Sequence, residues 1–298
     1  MLSRLLRTKQ WTKNLSIFAC LLFAGKFLEA GAVLSSLVGF GVLCALTGAV
    51  YIINDIKDLE EDREHPTKCT RPLCSGEIGV TAATCIAVIF ALSSITGAFV
   101  LDRGFGFVLL AYCFLNVLYS FFLKKMVILD VFCIATGFFL RVLGGAYIIH
   151  ITPSPWLLMC AFLVSIFLAL LKRRHELITL GHEAGNHRKV LNDYSARFLD
   201  QMVGVVTAVT ILSYMLWTVE SANIQKYGIQ LLITFPFVVY GMFRYLYLVH
   251  KKNGGGDPTE LIFRDFPLIV TVSLWLVVLL FIMHKSLIIL EIGNLLLR

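Results

Sequence analysis

Charge is scarce in this sequence: 15% of its 298 residues are Asp, Glu, Lys or Arg, against roughly 25% in a soluble domain. Polar–apolar alternation is scarce too. Hydrophobic residues make up 58% of the chain and gather in near-continuous runs. That pattern excludes a soluble globular domain and a membrane β-barrel, and it predicts an all-α polytopic membrane protein. Cysteine pairs at framework or zinc spacing are missing as well. The eight cysteines are scattered, most of them inside apolar runs, where a free thiol serves as a small hydrophobe. Cys69 and Cys74, the close pair outside a run, have no partners at ligand spacing and read as free thiols. No small-residue cleavage pattern follows the basic N-terminus (Arg4, Arg7, Lys9, Lys13), so the first apolar run is expected to stay as a span.

Nine apolar segments are present, at about 15–30, 33–54, 80–101, 105–122, 127–149, 155–171, 200–219, 228–248 and 267–290. The first is short and carries Lys26 near its end, so eight spans is the alternative. Residues 1–298 read as a single transmembrane domain. With the N-terminus in the cytoplasm, most basic residues fall on that side: the N-terminal group, Lys57 to Arg71, Lys124 and Lys125, Lys172 to Arg197, and Arg244 to Arg264. The other side keeps Lys26, Arg103, Lys226, Lys285 and Arg298. This bias fixes the expected orientation. Most acidic residues share the cytoplasmic face, leaving Glu29, Asp102, Glu220 and Glu291 opposite. Acidic residues contribute little to orientation, so both signs on one face predict a polar working site there. The net charge of +7 is topological and does not argue for nucleic acid.

The second segment ends in Tyr51-Ile52-Ile53 and runs straight into Asn54-Asp55-Ile56-Lys57-Asp58-Leu59-Glu60-Glu61-Asp62. If the helix continues, Asn54, Asp58 and Asp62 line one face at i, i+4 and i+8, with Asp55 flanking them. Like charges at that spacing repel, and a hard divalent cation removes the repulsion. Mg²⁺ binds such oxygens through one or two carboxylates together with a substrate phosphate. Arg63, His65, Lys68 and Arg71 follow at once, which suits a metal–diphosphate site better than the alternative, a solvated acidic helix end.

The run Asn54-Asp-x-x-Asp58-x-x-x-Asp62, then Arg63-Glu64-His65-Pro66-Thr67-Lys68 and Arg71-Pro72, resembles the first Asp-rich motif of the UbiA superfamily of intramembrane prenyltransferases. Lys9-Gln10-Trp11-x-Lys13-Asn14 and Tyr119-Ser120-x-x-Leu123-Lys124 are similar to other segments of that group, whose usual span number is nine. Within it, these motifs together with Asp130 and Arg141 look most like the decaprenyl-phosphate phosphoribosyltransferase branch. The resemblance implies a UbiA-like bundle in a prokaryotic cytoplasmic (inner) membrane, with the active site facing the cytoplasm. It implies Mg²⁺-dependent transfer of 5-phosphoribose from phosphoribosyl diphosphate to a polyprenyl phosphate, which in that branch feeds cell-wall arabinose donors. One departure matters. A second Asp-rich motif is usual in the loop after span six, but here that loop begins Lys172-Arg173-Arg174-His175-Glu176. A basic cluster suits a second phosphate group better than a second metal cluster.

The expected site therefore has Asp58 and Asp62 at its catalytic centre and Asn54, Asp55, Asp58 and Asp62 as metal ligands. Lys13, Lys68, Arg71, Tyr119, Lys124, Asp130, Arg141, Lys172, Arg173 and Glu176 are the expected substrate contacts. For Lys13, Tyr119 and Lys124 the alternative is ordinary membrane anchoring. For Asp130 and Arg141, close to three turns apart in span five, it is a structural polar contact. The segment Gly254–Glu260 reads as a helix break followed by a capping box. His150, His182 and His187 show no ligand spacing. Two other functions stay open: prenyl transfer from a prenyl diphosphate to an aromatic acceptor, and an ion-binding transporter or scaffold. The latter predicts internal repeats, and none is visible. Chain length of the lipid and assembly state, a homo-oligomer included, are not set by the sequence.

Overall fold

The computed structural model describes residues 1–63, 68–181, 185, 189–251, 261 and 264–296, the last eleven as backbone only. The sequence expectations for His65, His182, His187 and the Gly254–Glu260 capping box lie outside the described residues.

The described residues are helical, and eight helices among them are long and apolar enough to cross a membrane. They are α1 (Ala30–Lys57), α2 (Val80–Leu101), α3 (Arg103–Phe121), α4 (Leu129–Ile148), α5 (Pro155–Leu180), α6 (Ala196–Val219), α7 (Phe235–Lys251) and α8 (Phe266–Leu296). A 3₁₀ stretch, Ile229–Thr234, leads into α7 and extends that crossing. Each matches one of the nine expected segments. The remaining one, 15–30, is broken into a 3₁₀ run, Thr8–Phe18, and a short helix, Ala19–Phe23.

Runs of 3₁₀ geometry this long are uncommon, because their hydrogen bonds are poorly aligned. Tertiary contact holds this one. A Cβ on Gly145 of α4 would sit on the Ile17 carbonyl oxygen, so glycine lets the two backbones touch. Cys20 Sγ donates to the Val142 carbonyl at 3.3 Å, again on α4. The segment is thus pinned to a neighbouring helix over several turns, at the expense of its own regular α-helical bonds.

Contacts divide the chain into two compact units, 1–153 and 154–298. In the first, α1 packs against α2 and α3, and α3 packs against α4. The α2 helix buries Ala83, Ala87, Ser94 and Ala98 and exposes Val88, Ile89, Leu92 and Val100. In lipid no hydrophobic force drives helices together, so small side chains that permit close approach define the packed face and large ones face the acyl chains.

In the second unit α5 packs on α6, and α7 on α8. Tyr214 of α6 shares a 2.8 Å hydrogen bond with Thr234 and accepts one of 2.8 Å from Trp275 Nε1 of α8. Arg244 of α7 donates to both oxygens of Asp265 at 3.0 and 2.9 Å. Asp265 also accepts from the Leu268 amide at 3.1 Å, at the start of α8.

Candidate active site

The helix α1 does not stop at Ile53 but runs on to Lys57. Asp58, at φ −97° and ψ 11°, interrupts it, and a second helical turn, Leu59–Arg63, follows. The i,i+4 register survives the break: the Asp58 amide donates to the Asn54 carbonyl at 3.0 Å, and the Asp62 amide to the Asp58 carbonyl at 2.8 Å. Past Lys68–Thr70 the chain returns, so that Arg71 comes back against the helix it has just left.

The expected ladder of Asn54, Asp58 and Asp62 divides into two groups. Asp55 and Asp62 are seven residues apart, nearly two whole turns, so they share a face. Both are buried, at 4% and 1% exposure. Arg71 Nη1 joins them, donating to Asp55 Oδ1 at 3.1 Å and to Asp62 Oδ2. Arg7 Nη2 donates to the same Asp55 oxygen, and Lys68 Nζ lies 3.3 Å from Asp62 Oδ1. Asn54 and Asp58 form the other group: Asn54 Nδ2 donates to Asp58 Oδ2 at 3.2 Å, and Lys124 Nζ donates to Asp58 Oδ1. The Cys74 thiol, in the returning loop, is pushed above its ordinary pKa by burial and by the Asp62 charge.

Among the described residues no three His, Cys, Asp or Glu side chains are grouped as metal ligands. The donor set still fits Mg²⁺. It consists of carboxylate and amide oxygens, the hard ligands that ion takes. One of them, Asp62 Oδ1, is buried without a hydrogen-bond donor; its ion pair with Lys68 does not meet hydrogen-bond geometry. Lys68 meets that oxygen as a charge without a directed hydrogen bond, so a lone pair stays open to a hard cation.

The other expected residues are distributed as follows. Lys13 is exposed and Tyr119 half-buried. Asp130 is fully buried near the start of α4. It follows Ile128, a β-branched residue held at φ 69°, which is strained backbone. Arg141 is 7% exposed. Its Nε donates to Asn14 Oδ1 at 3.0 Å and its Nη2 to the Tyr112 hydroxyl at 2.7 Å, with the guanidinium over the Tyr112 and Phe138 rings. Arg141 therefore anchors a buried polar hub with Asn14 and Tyr112.

Lys172, Arg173 and Glu176 sit on α5 rather than in a loop, because that helix continues to Leu180. Arg173 is buried and donates to Glu176 at 2.7 Å, one turn on. Arg174 is held by Asp200 of α6, to which His250 Nε2 also lies at 3.1 Å.

Arg7, Asn14 and Tyr112 are among the residues of these networks that carried no assigned role in the sequence. Arg7 counted there as topology only. Asn14 closes the Lys9–Asn14 motif; it is 1% exposed and also donates to Thr47 Oγ1 at 3.0 Å and to Cys44 Sγ at 3.2 Å. A buried Asn ending a motif is a signal that was present. Tyr112 lies in an apolar run and gives none.

The chain is similar to known proteins. A model of the "UbiA prenyltransferase family" matches residues 15–266. Decaprenyl-phosphate phosphoribosyltransferase of Corynebacterium glutamicum is 31% identical over 91% of this chain and 82% of its own length. The protein of that name from Mycobacterium tuberculosis is 28% identical over 91% of this chain and 90% of its own. Among solved structures, a UbiA homolog from Archaeoglobus fulgidus bound to DMAPP and Mg²⁺ superposes with a TM-score of 0.72 at 18% identity, covering 95% of this chain and 99% of that one. With eight apolar spans among its described residues and an acidic motif met by cations, the chain belongs to the UbiA prenyltransferase family and is an integral membrane transferase.

Proposed function

We propose that the enzyme transfers 5-phosphoribose from 5-phosphoribose 1-diphosphate to a polyprenyl phosphate and releases diphosphate. The observation that carries this reading is the crowding of cations onto the acidic motif. Arg7, Lys68, Arg71 and Lys124 all meet Asp55, Asp58 or Asp62. Carboxylates suited to a metal thus stand among guanidinium and ammonium groups suited to phosphate oxygens. The names of the relatives from C. glutamicum and M. tuberculosis support the same donor and acceptor. So does the stretch Lys172–Arg174, which is basic where a second acidic ladder would serve a second metal cluster.

Asn54, Asp58 and Asp62 would hold Mg²⁺, with Asp55 beside them. When bound there, Mg²⁺ supplies neutralisation of the charge that grows on the departing diphosphate. Lys68 and Arg71 bind donor phosphate oxygens, and Lys172 and Arg173 serve the second phosphate group. A lipid phosphate oxygen forms the new bond to ribose C1 as the bond from C1 to the diphosphate oxygen breaks, its electron pair leaving with diphosphate. The attacking oxygen is already anionic, so no general base is needed. The protein's contribution is orientation and fixed charge. Residues 1–298 serve as a single UbiA-type transmembrane domain. The N-terminus and the acidic motif face the cytoplasm of a prokaryotic inner membrane, where a soluble phosphorylated donor is at hand, and the polyprenyl tail stays in lipid.

The test is direct. Purified protein, Mg²⁺, a polyprenyl phosphate and labelled phosphoribosyl diphosphate are expected to give a labelled lipid, and chelation is expected to stop it. No labelled lipid, with turnover of a prenyl diphosphate and an aromatic acceptor instead, would replace this reading by prenyl transfer.

A further inference from the structure

The residues ahead of the first apolar run are built into the acidic site. Leu5 and Leu6 are buried, at 1% and 5% exposure. They lie in a cluster with Ile52 of α1, Leu73 and Ile78 of the returning loop, and Ala83 and Ala87 of α2. Gly48 of α1 makes room for them: a Cβ there would come within 2.7 Å of Leu6 Cδ2. Arg4 forms an ion pair with Glu77 at the surface. The chain then turns at Arg7, held in the left-handed region at φ 49° and ψ 52°, a conformation uncommon outside glycine. The guanidinium that emerges lies 5.1 Å from the centre of the Tyr51 ring and donates to Asp55 Oδ1. Two apolar anchors, an ion pair, a ring contact and a strained turn all serve to deliver one side chain.

The consequence lies in charge and hydrogen-bond geometry. Arg7 and Arg71 share one buried carboxylate oxygen, and the same Nη1 of Arg71 also reaches Asp62. Three cations, Arg7, Lys68 and Arg71, thus meet two carboxylates, Asp55 and Asp62. The group carries a net positive charge, and both guanidinia stay partly exposed, at 22% and 25%. Arg7 makes one hydrogen bond through Nη2, and Arg71 uses Nη1 alone. The other donors of each fork are not engaged by any described residue. Without Arg7, Asp55 would be left to Arg71 alone, and the Arg71 guanidinium would be drawn towards Asp55.

We propose that Arg7, held by the Met1–Arg7 strap, is a positioning residue for donor binding: by sharing Asp55 it sets the Arg71 fork between Asp55 and Asp62 in the orientation that receives a diphosphate. On this view Asp55 serves as a holder of cations. The inference rests on the phosphoribosyl-transfer reading for its substrate, but its anion chemistry can be tested without turnover.

The experiment uses full-length enzyme in detergent. Titration with inorganic diphosphate, read as protection against thermal unfolding, is compared with the KM for phosphoribosyl diphosphate. Arg7→Gln is expected to weaken diphosphate binding and raise the donor KM by about tenfold, the size of one charge-assisted hydrogen bond. The KM for the lipid phosphate stays within about twofold, and Arg7→Lys recovers part of the loss because it puts a positive charge back beside Asp55, without the planar guanidinium. Leu6→Ala, which loosens the strap without altering a charge, raises the donor KM in the same direction and decides the matter if Arg7→Gln does not fold. A wild-type protein that binds diphosphate yet makes no phosphoribosyl lipid sinks the substrate and leaves the role of Arg7 standing. Wild-type diphosphate affinity and donor KM in Arg7→Gln, or in Leu6→Ala where it alone is available, overturn that role. So does a wild-type enzyme that binds no diphosphate.

Discussion

Asp58 differs from the other carboxylates of the motif in what holds it. Asp55 and Asp62 are fixed by guanidinia, whereas Asp58 meets a flexible ammonium, Lys124, and a neutral amide, Asn54. A lysine on a long stem gives way to a competing ligand more readily than a planar fork does. Asp58→Asn keeps the shape and removes the charge. It is expected to lower turnover by at least about a hundredfold, in the range seen when a group that stabilises developing charge is removed, with thermal stability in detergent close to wild type. Full activity in that variant would remove the metal role assigned to Asp58. The residue types and their crowding were legible from the spacing alone. Their pairing was not: helical periodicity puts Asn54, Asp58 and Asp62 in a row, but the returning Arg71 selects Asp55 and Asp62.

At the scale of elements, the broken first segment is the main departure from the sequence pattern. Hydropathy sees 15–30 as one apolar run; the fold needs it short and pressed against α4. Gly145 is where that contact is tightest, since its missing Cβ would meet backbone at Ile17 and not a side chain that can swing aside. Gly145→Val is expected to cost about 1–3 kcal/mol, as overpacking does in a tightly packed core, and to lower the thermal midpoint in detergent. Gly241, whose Cβ would meet nothing within 4 Å, serves as the control. A Gly145→Val protein as stable as wild type would mean that the close approach does not hold the 3₁₀ run. The α5 helix teaches the converse. Apolar content ends near Leu171, so the sequence reads a loop at Lys172, but Arg174 finds Asp200 and the helix continues. Hydropathy marks where lipid ends, which is not where hydrogen-bonded helix ends.

For the whole molecule, orientation is the property most open to test. By the basic-residue bias, the loop bearing Cys69 and Cys74 is expected on the cytoplasmic side. A membrane-impermeant maleimide is expected to label this pair in inside-out vesicles and to spare it in right-side-out vesicles; the reverse would invert the topology. The Cys74 thiol adds a pH dependence. Burial and the Asp62 charge raise its pKa, so it holds little thiolate at neutral pH, and its labelling should quicken as the pH rises through the alkaline range.

Composition and periodicity were enough to establish a helical membrane protein, nearly every span and the acidic motif, because lipid demands long apolar helices and clustered carboxylates demand a compensating charge. Neither could show that a strap of seven residues brings Arg7 to Asp55, that Asn14 meets Arg141 across 127 positions, or that one acidic run serves two different sets of cations. Those pairings join residues far apart in the chain, and local spacing carries no information about which distant side chain will arrive.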